Sequence, residues 1–248
     1  MLVGMRRRSY RQFCSLASAL DRVGERWTLL VVRQLLTGPK RFSDLMADLP
    51  GIGTNLLSAR LRQLEQDGLV RRTVLPKPAA TAVYELTEEG NALDPAVTAL
   101  ARWGSRFLEP PRRGTAVRAG WLMVAMKAAA RPERVRGGTR VFQYEIEGEV
   151  FHLRVGPQGV EARQGAAESA DFVARMPLSV LLAIARRELD PLEAVRKGAV
   201  ELEGSEAAYR LSAEVFDRGG EAAGRGGRPR ARRAARGSAR SAGRRPRG

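Results

Sequence analysis

Apolar residues recur with helical spacing through the first hundred residues of the chain. Residues 27–36 (WTLLVVRQLL) are apolar on nearly all sides, which predicts a buried helix that the Gly-Pro pair at 38–39 ends. A shorter helix is predicted over 44–49, with Ser43 as its N-cap and its apolar side chains turned inward. The turn at 50–53 contains a proline and two glycines, so it separates this helix from the next.

The third helix of this region has one apolar face and one polar face. Leu57, Leu61 and Leu64 fall at i, i+4 and i+7, which predicts a buried stripe in a helix that follows the N-cap Thr54 and stops at Gly68. At about 100° per residue, the polar side chains point to the opposite side. They are Asn55, Ser58, Arg62, Gln63 and Gln66. A solvated helix face is the alternative interpretation, so the neighbouring elements decide between the two.

Two short strands follow the third helix. Residues 69–75 and 81–87 are predicted as strands, and the stiff loop 76–80 (PKPAA) joins them. A helix, a tight turn, a second helix and a hairpin, in this order, predict a mainly α winged helix-turn-helix with a two-stranded wing. Because a major groove admits one α-helix and phosphates lie on either side of it, this order indicates DNA binding.

Candidate DNA contacts follow from this arrangement. Asn55, Ser58 and Arg62 are expected to meet base edges. Basic residues on the flanking elements are expected to meet phosphates, where they position the protein without reading sequence. They are Lys40, Arg41, Arg71, Arg72 and Lys77. A solvated charge is the alternative for each of them.

The last helical segment of this region carries two apolar stripes. Thr87 is its predicted cap, and Asp94-Pro95 predicts a kink or a restarted helix. One stripe comprises Leu93, Val97, Leu100, Gly104 and Phe107, and the other comprises Ala92, Ala96, Ala99 and Trp103. One small domain cannot cover both, so we expect the second stripe to pack against a partner chain. Packing within the same chain is the alternative.

After residue 115 the pattern changes to an α+β order. A hairpin is predicted over 141–155 around Gly148, with Phe142, Tyr144 and Ile146 facing the same side as Phe151, Leu153 and Val155. Strands at 160–164 and 171–176, an apolar helix from Pro177, a short helix from Leu192, a strand at 199–203 and a helix from Ser205 follow.

The patterns divide the chain into four parts. Residues 10–108 form the predicted winged-helix domain, 109–115 a linker, 116–216 the α+β domain, and 217–248 a tail. The tail has eleven arginines, two acidic residues and no large apolar residue, so it is expected to be disordered. It carries more than half of the net charge of +16. It could bind DNA without sequence preference, or only solubilise the protein.

Composition argues against several protein classes. One cysteine cannot form an intrachain disulfide and fits a reducing compartment. We find neither a signal peptide nor an apolar run of about 18 residues, so we expect a cytoplasmic, nucleoid-associated protein without a membrane partner. With one histidine, His152 on the polar side of its strand, we expect no metal site, no cofactor and no catalytic triad.

Several segments of the first part resemble the HxlR-type winged helix-turn-helix regulators, which are relatives of the MarR group. The resemblance runs from about Phe13 to Gly104 and includes GERWTLL (24–30), GPKRFSDL (38–45), LLSARLRQLEQDGLVR (56–71), YELT (84–87) and WG (103–104). It implies a homodimer that binds operator DNA and represses or activates nearby genes. It also implies that Thr54, Asn55, Ser58 and Arg62 lie on the helix inserted into the groove, with Lys77 on the wing.

The chain departs from this family at its cysteine and in its length. Cys14 precedes Ser15, where the family commonly has proline, and typical relatives end soon after the tryptophan helix. Some relatives use an N-terminal cysteine to sense oxidants or electrophiles. With one thiol, a sensing disulfide at Cys14 would have to cross the dimer. The alternative is a small buried apolar side chain.

The α+β part resembles the sterol-carrier-protein fold, in which a sheet and helices enclose an apolar tunnel. DFVA (171–174), PLSVLLAIA (177–185) and DPLEAVRKGAVELEG (190–204) carry the resemblance. It suggests a pocket for a hydrophobic effector, lined by Phe142, Tyr144, Phe151, Leu153, Leu181 and Leu182. Core packing is the alternative for each of these residues.

Together these observations predict a sequence-specific transcriptional regulator, a dimeric repressor that responds to a hydrophobic small molecule. Two other functions stay open. One is a non-specific, nucleoid-type DNA binder driven by the arginine-rich tail. The other is a lipid or acyl carrier module fused to a DNA-binding domain.

Overall fold

The first part of the protein consists of helices and one hairpin. The structure is a computed structural model that describes residues 9–76, 78, 80–108 and 118–216. Its first elements are α1 (Ser15–Val23), α2 (Thr28–Leu35), α3 (Phe42–Asp48), α4 (Thr54–Gln66), β1 (Val70–Val74), β2 (Ala82–Leu86), α5 (Glu88–Asn91) and α6 (Asp94–Gly104). This order confirms the predicted helical helix-turn-helix with a two-stranded sheet. The predicted linker at 109–115 and tail at 217–248 lie outside the described residues.

Local capping groups set the ends of these helices. The Thr87 hydroxyl accepts a hydrogen bond from the Gly90 N–H at 3.1 Å, and Asp94-Pro95 starts α6 as a separate helix. The predicted N-cap of α3, Ser43, is wrong, because Arg41 occupies the N-cap position. The helix begins two residues earlier, at Phe42, because the Asp44 carboxylate accepts a hydrogen bond from the Arg41 N–H at 3.0 Å.

One apolar core joins the helices and the hairpin of this part. It contains the predicted leucines of α4 (Leu57, Leu61 and Leu64), together with Val31 and Val32 of α2, Leu45 of α3 and Val70 of β1. Each of these side chains is at most 2% exposed. The helical period of the apolar residues therefore predicted the buried face of α4 correctly.

The second part folds around a mixed sheet. Its elements are α7 (Ala119–Ala129), β3 (Arg140–Ile146), β4 (Glu149–Gly156), β5 (Gly159–Gln164), β6 (Phe172–Met176), α8 (Leu178–Ala185), α9 (Pro191–Arg196), β7 (Glu201–Gly204) and α10 (Glu206–Val215). The strand order is β5-β4-β3-β6-β7, in which β3 and β6 are parallel and the other neighbours antiparallel. Phe142 pairs with Leu153 and Tyr144 with Phe151, so the two apolar sets share one face of the sheet, as the alternation predicts.

Aromatic rings fill the core under this sheet. Phe142 stacks on Phe172 with ring centroids 5.3 Å apart, and Tyr144 stacks on Phe151 at 5.7 Å. The Tyr144 hydroxyl donates a hydrogen bond of 2.9 Å to the Ser212 hydroxyl oxygen of α10. Burial of this phenol raises the pKa of Tyr144 well above its usual value. The hydroxyl therefore stays protonated and serves as a buried donor.

Helix α7 belongs to both cores. Met123 and Met126 pack with the aromatic residues of the second part, whereas Val124 packs with the helices of the first. A Cβ atom on Gly120 would lie 2.8 Å from Oε1 of Gln34, so α7 comes close to α2 at this position. The two parts therefore share one buried helix. None of the helices within the described residues is long and apolar enough to cross a membrane.

Replacing Val124 with alanine tests this shared packing. Val124→Ala should lower the free energy of unfolding by about 1–3 kcal/mol, because it removes buried methyl groups from the core of the first part. Urea titration followed by circular dichroism measures the change. Val74→Ala, the same replacement at a site 68% exposed on β1, should cost less than about 0.5 kcal/mol. Equal losses in the two variants would contradict the shared core.

Candidate nucleic-acid interface

Buried contacts fix the inner side of α4. Arg60 is buried, and its Nη2 donates to the Glu25 carboxylate at 2.9 Å while its Nε donates to the Arg26 carbonyl oxygen at 3.2 Å. These bonds tie α4 to the loop between α1 and α2. Arg60 lies at i+3 from Leu57 and at i−4 from Leu64, so the helical repeat places it on the leucine face. It was not predicted to be buried because a guanidinium is usually exposed.

The loop before α2 also supports the helix-turn-helix. Trp27 adopts a left-handed conformation with φ of 79°, directly before α2, and the Arg26 guanidinium carbon lies 5.7 Å from the centroid of its ring. The Trp27 ring faces Gly51, whose own φ of 93° favours glycine in the turn between α3 and α4. The ring therefore packs against the turn that orients α4.

The outer side of α4 is polar. Thr54, Asn55 and Arg62 are exposed, Ser58 is half-buried, and the Arg62 Nε donates to the Ser58 carbonyl oxygen at 3.3 Å. They lie away from the three leucines that fill the core. The structure therefore brings the four predicted residues of this helix together on one accessible side.

The hairpin places its two arginines differently. Arg71 and Arg72 are both exposed, but adjacent residues of a strand point to opposite faces. The Arg71 Nε donates to the Glu85 carboxylate at 2.8 Å, which neutralises part of its charge. Arg72 lies opposite Tyr84 in the β1–β2 pair. Lys77, the predicted wing-tip contact, lies outside the described residues.

Lys40 and Arg41 are neighbours in sequence with opposite environments. Arg41 is exposed beside the start of α3. Lys40 is 6% exposed, and its Nζ lies 3.2 Å from the Asp48 carboxylate and donates to the Gln164 side-chain oxygen of β5. A buried ammonium with both partners inside the protein is not available to a phosphate. The prediction of a DNA contact at Lys40 is therefore wrong.

The six predicted effector contacts divide into two groups. Phe142, Tyr144, Phe151 and Leu153 are at most 3% exposed and pack with the rest of the second core. Leu181 and Leu182 lie on α8, an apolar helix of which every residue from Leu178 to Ala185 keeps some exposure. The structure thus brings four of the residues together as core, with α8 at its edge.

Cys14 and His152 lie apart from these groups. The Cys14 thiol is exposed at the residue before α1, and not buried as the alternative interpretation has it. The His152 Nδ1 lies 2.9 Å from the Gly165 carbonyl oxygen. No three His, Cys, Asp or Glu side chains among the residues that the structure describes are grouped to hold a metal ion.

Two family models match the chain, one in each part. Residues 22–112 match the HxlR-like helix-turn-helix family, and residues 122–215 match the SCP-2 sterol transfer family. The resemblances inferred from the sequence are therefore confirmed for both parts.

The relatives of the chain are named as regulators. The HTH-type transcriptional regulator YodB of Bacillus subtilis is 39% identical over 93 residues, which cover 38% of this chain and 83% of the relative. The uncharacterized HTH-type transcriptional regulator YvaP of the same organism is 39% identical over 92 residues, 37% of this chain and 85% of the relative. The solved structure of the reduced form of YodB is 36% identical, with a TM-score of 0.35, and covers 41% of this chain and 100% of its own.

The Arg60 contacts generate a prediction about α4. Arg60→Met should lower the free energy of unfolding by about 1–3 kcal/mol, because it leaves the Arg26 carbonyl oxygen without its donor and removes the bond to Glu25. Urea denaturation checks the value. Arg62→Met, the same replacement on the outer side of α4, should change stability by less than about 0.5 kcal/mol. If the two variants are equally stable, Arg60 does not anchor the helix.

Proposed function

Because the chain belongs to the HxlR-like helix-turn-helix family, we propose that it is a sequence-specific DNA-binding transcriptional regulator whose α4 enters the major groove. The observation that carries this proposal is the division of α4 into two sides. Three leucines anchor it to the core, and Thr54, Asn55 and Arg62 are exposed on the other side. Side chains of these types donate to and accept from base edges, and arginine pairs with guanine through two bonds.

Phosphate contacts are proposed for the basic residues around α4. Arg41 and Arg72 are exposed, and neither the α3 cap nor the hairpin pairing withdraws them from solvent. Arg71 is a weaker candidate because it shares its charge with Glu85. Lys77 remains a candidate from its sequence position alone. Such contacts would set affinity and orientation, and α4 would set specificity.

A homodimer is proposed from the uncovered apolar side of α6. Leu100 and Trp103 are 51% and 55% exposed, and Ala92, Ala96 and Ala99 are exposed beside them. Trp103 contacts Phe107 edge to face, with ring centroids 4.9 Å apart, and Phe107 is itself exposed. Apolar surface of this extent favours a protein partner. A two-fold dimer would present two α4 helices to half-sites about one helical turn apart.

We also propose that the protein is a repressor and that a hydrophobic effector controls its binding to DNA. A hydrophobic molecule that enters the second domain would change DNA affinity if it binds one geometry of the dimer better than another. The apolar composition of the second core and the half-exposed α8 at its edge support an apolar effector. We propose a regulatory role for this domain and no catalytic one, because α7 packs it against the core of the helix-turn-helix.

Removing the Arg62 side chain tests base recognition. Arg62→Ala should weaken binding to a duplex selected from random sequences by about 1–3 kcal/mol, because a bidentate contact to one base is lost. Specificity should relax at one base pair of the site. Fluorescence anisotropy with the selected and with scrambled duplexes measures both effects. Arg196→Ala, the same charge change on α9, is the matched control and should leave specific affinity unchanged.

Two outcomes would count against base recognition. Equal losses on selected and scrambled duplexes would make Arg62 a phosphate contact. Loss of all sequence preference in a chain that ends at Phe216 would favour a binder driven by the tail.

A charge on α6 tests the dimer. Trp103→Glu should convert the protein to monomers at micromolar concentration, because the carboxylate would be buried without a partner at the proposed interface. Analytical ultracentrifugation measures the mass. Leu182→Glu places the same charge on α8 and should leave the mass of a dimer. A wild-type protein that is monomeric at these concentrations would contradict the proposed assembly.

A further inference from the structure

The segment between α2 and α3 lies between two sheets. Lys40 exchanges both backbone hydrogen bonds with Tyr84 of β2, at 2.9 and 2.8 Å. Three residues earlier, the Thr37 carbonyl oxygen accepts a bond of 3.4 Å from the N–H of Gln164, at the end of β5. The hairpin of the first domain and the edge strand of the second therefore meet on the same four residues.

The Lys40 side chain continues this connection. A buried ammonium needs charged or polar partners, and Lys40 has one from each domain. The Asp48 carboxylate lies 3.2 Å from its Nζ, and the Gln164 side-chain oxygen accepts a hydrogen bond from the same nitrogen. Gln164 itself is exposed, so water competes for this bond.

Arg33 of α2 makes a second polar contact between the domains. Its guanidinium carbon lies 5.1 Å from the ring centroid of Trp121 on α7, a distance at which a cation and an aromatic face attract each other. Burial lowers the pKa of Arg33 to about 10, and the Asp48 carboxylate opposes this shift. The second domain thus contacts Arg33 of α2 as well as Lys40.

Asp48 occupies a sensitive position in the helix-turn-helix. It is the last residue of α3, and the turn 49–53 connects it directly to α4. Lys40 joins this carboxylate to the backbone of β2, so the same residue touches the turn before α4 and the hairpin. A change at Lys40 would therefore alter the position of α3 relative to the wing.

We propose that Gln164 of the second domain is a positioning residue for DNA binding, which acts through Lys40 on Asp48 and β2. This inference rests on the proposed function. The form in which Gln164 holds Lys40 binds operator DNA more tightly than the form in which this bond is broken. Gln164 lies opposite Phe151 in the β4–β5 pair, and Phe151 stacks on Tyr144 in the core. A molecule that displaces these rings acts on the strand that carries Gln164.

The experiment compares variants of the full chain on one duplex. That duplex is first selected with the wild-type protein from random sequences. Gln164→Ala and Lys40→Met should each weaken binding about three- to tenfold, as expected of residues that modulate coupling without touching the ligand. The double variant should bind no worse than Lys40→Met alone, because both replacements remove the same bond. Gln158→Ala replaces an exposed glutamine in the turn before β5. It is the matched control and should bind like the wild type.

Two further measurements separate positioning from other roles. The slope of the logarithm of affinity against the logarithm of salt concentration should be the same for Lys40→Met and the wild type, because Lys40 releases no counterion from DNA. Gln164→Glu keeps an acceptor for Lys40 and should restore affinity to the level of Gln158→Glu, which carries the same added charge. Circular dichroism confirms that each variant is folded.

Each contrary result has its own meaning. A slope smaller by about one for Lys40→Met would make Lys40 a phosphate contact and overturn the inference. Wild-type affinity in Gln164→Ala, or additive losses in the double variant, would also overturn it. A wild-type protein that selects no duplex would instead overturn the proposed function. If Gln164→Glu binds DNA more weakly than Gln158→Glu, the hydrogen bond to Lys40 does not connect the second domain to DNA binding.

Discussion

The packing of α7 between two cores is the interaction on which the rest of the structure depends. The helix is apolar on several sides, so neither core alone could bury it, and Val124 and Met123 point into different ones. Polar contacts at its C-terminal end hold α6: Lys127 pairs with Asp94, and the Arg102 Nε donates to the Ala128 carbonyl oxygen at 2.8 Å. The second domain is therefore packed into the first along a helix, and is not only tethered to it.

This division between apolar packing and polar contacts suits the proposed regulation by an effector. The methionines and valine of α7 keep the domains together, because exposing them again would cost several kcal/mol. The bond from Gln164 to Lys40 is partly exposed to water and contributes much less. A molecule that binds the second domain could break such a bond without separating the domains. Its differential affinity of about 1–3 kcal/mol would be enough.

The features of the fold that depend on local periodicity could be predicted from the sequence. The leucine stripe of α4, the shared apolar face of Phe142 and Leu153 in the hairpin, and the interruption of the helix at Asp94-Pro95 all follow from neighbours a few residues apart. Lys40 shows where this reasoning fails. A lysine beside an arginine in a basic loop predicts a phosphate contact. The Lys40 ammonium instead donates to the side-chain oxygen of Gln164, which lies 124 residues away on β5. An apolar helix such as α7 likewise has no polar face to reveal that it serves two cores.

The arrangement of α6 connects these points to the proposed dimer. One side of α6 contacts α7 through Arg102 and Asp94, and another leaves Trp103 and the alanines beside it exposed. If that exposed side is the dimer interface, α6 lies between the second domain of its own chain and the partner protomer. A shift of α7 would then move α6 against the partner protomer. It would thereby change the spacing of the two α4 helices on DNA. The second domain would thus act on DNA binding by two routes, through β5 within one chain and through α6 across the dimer.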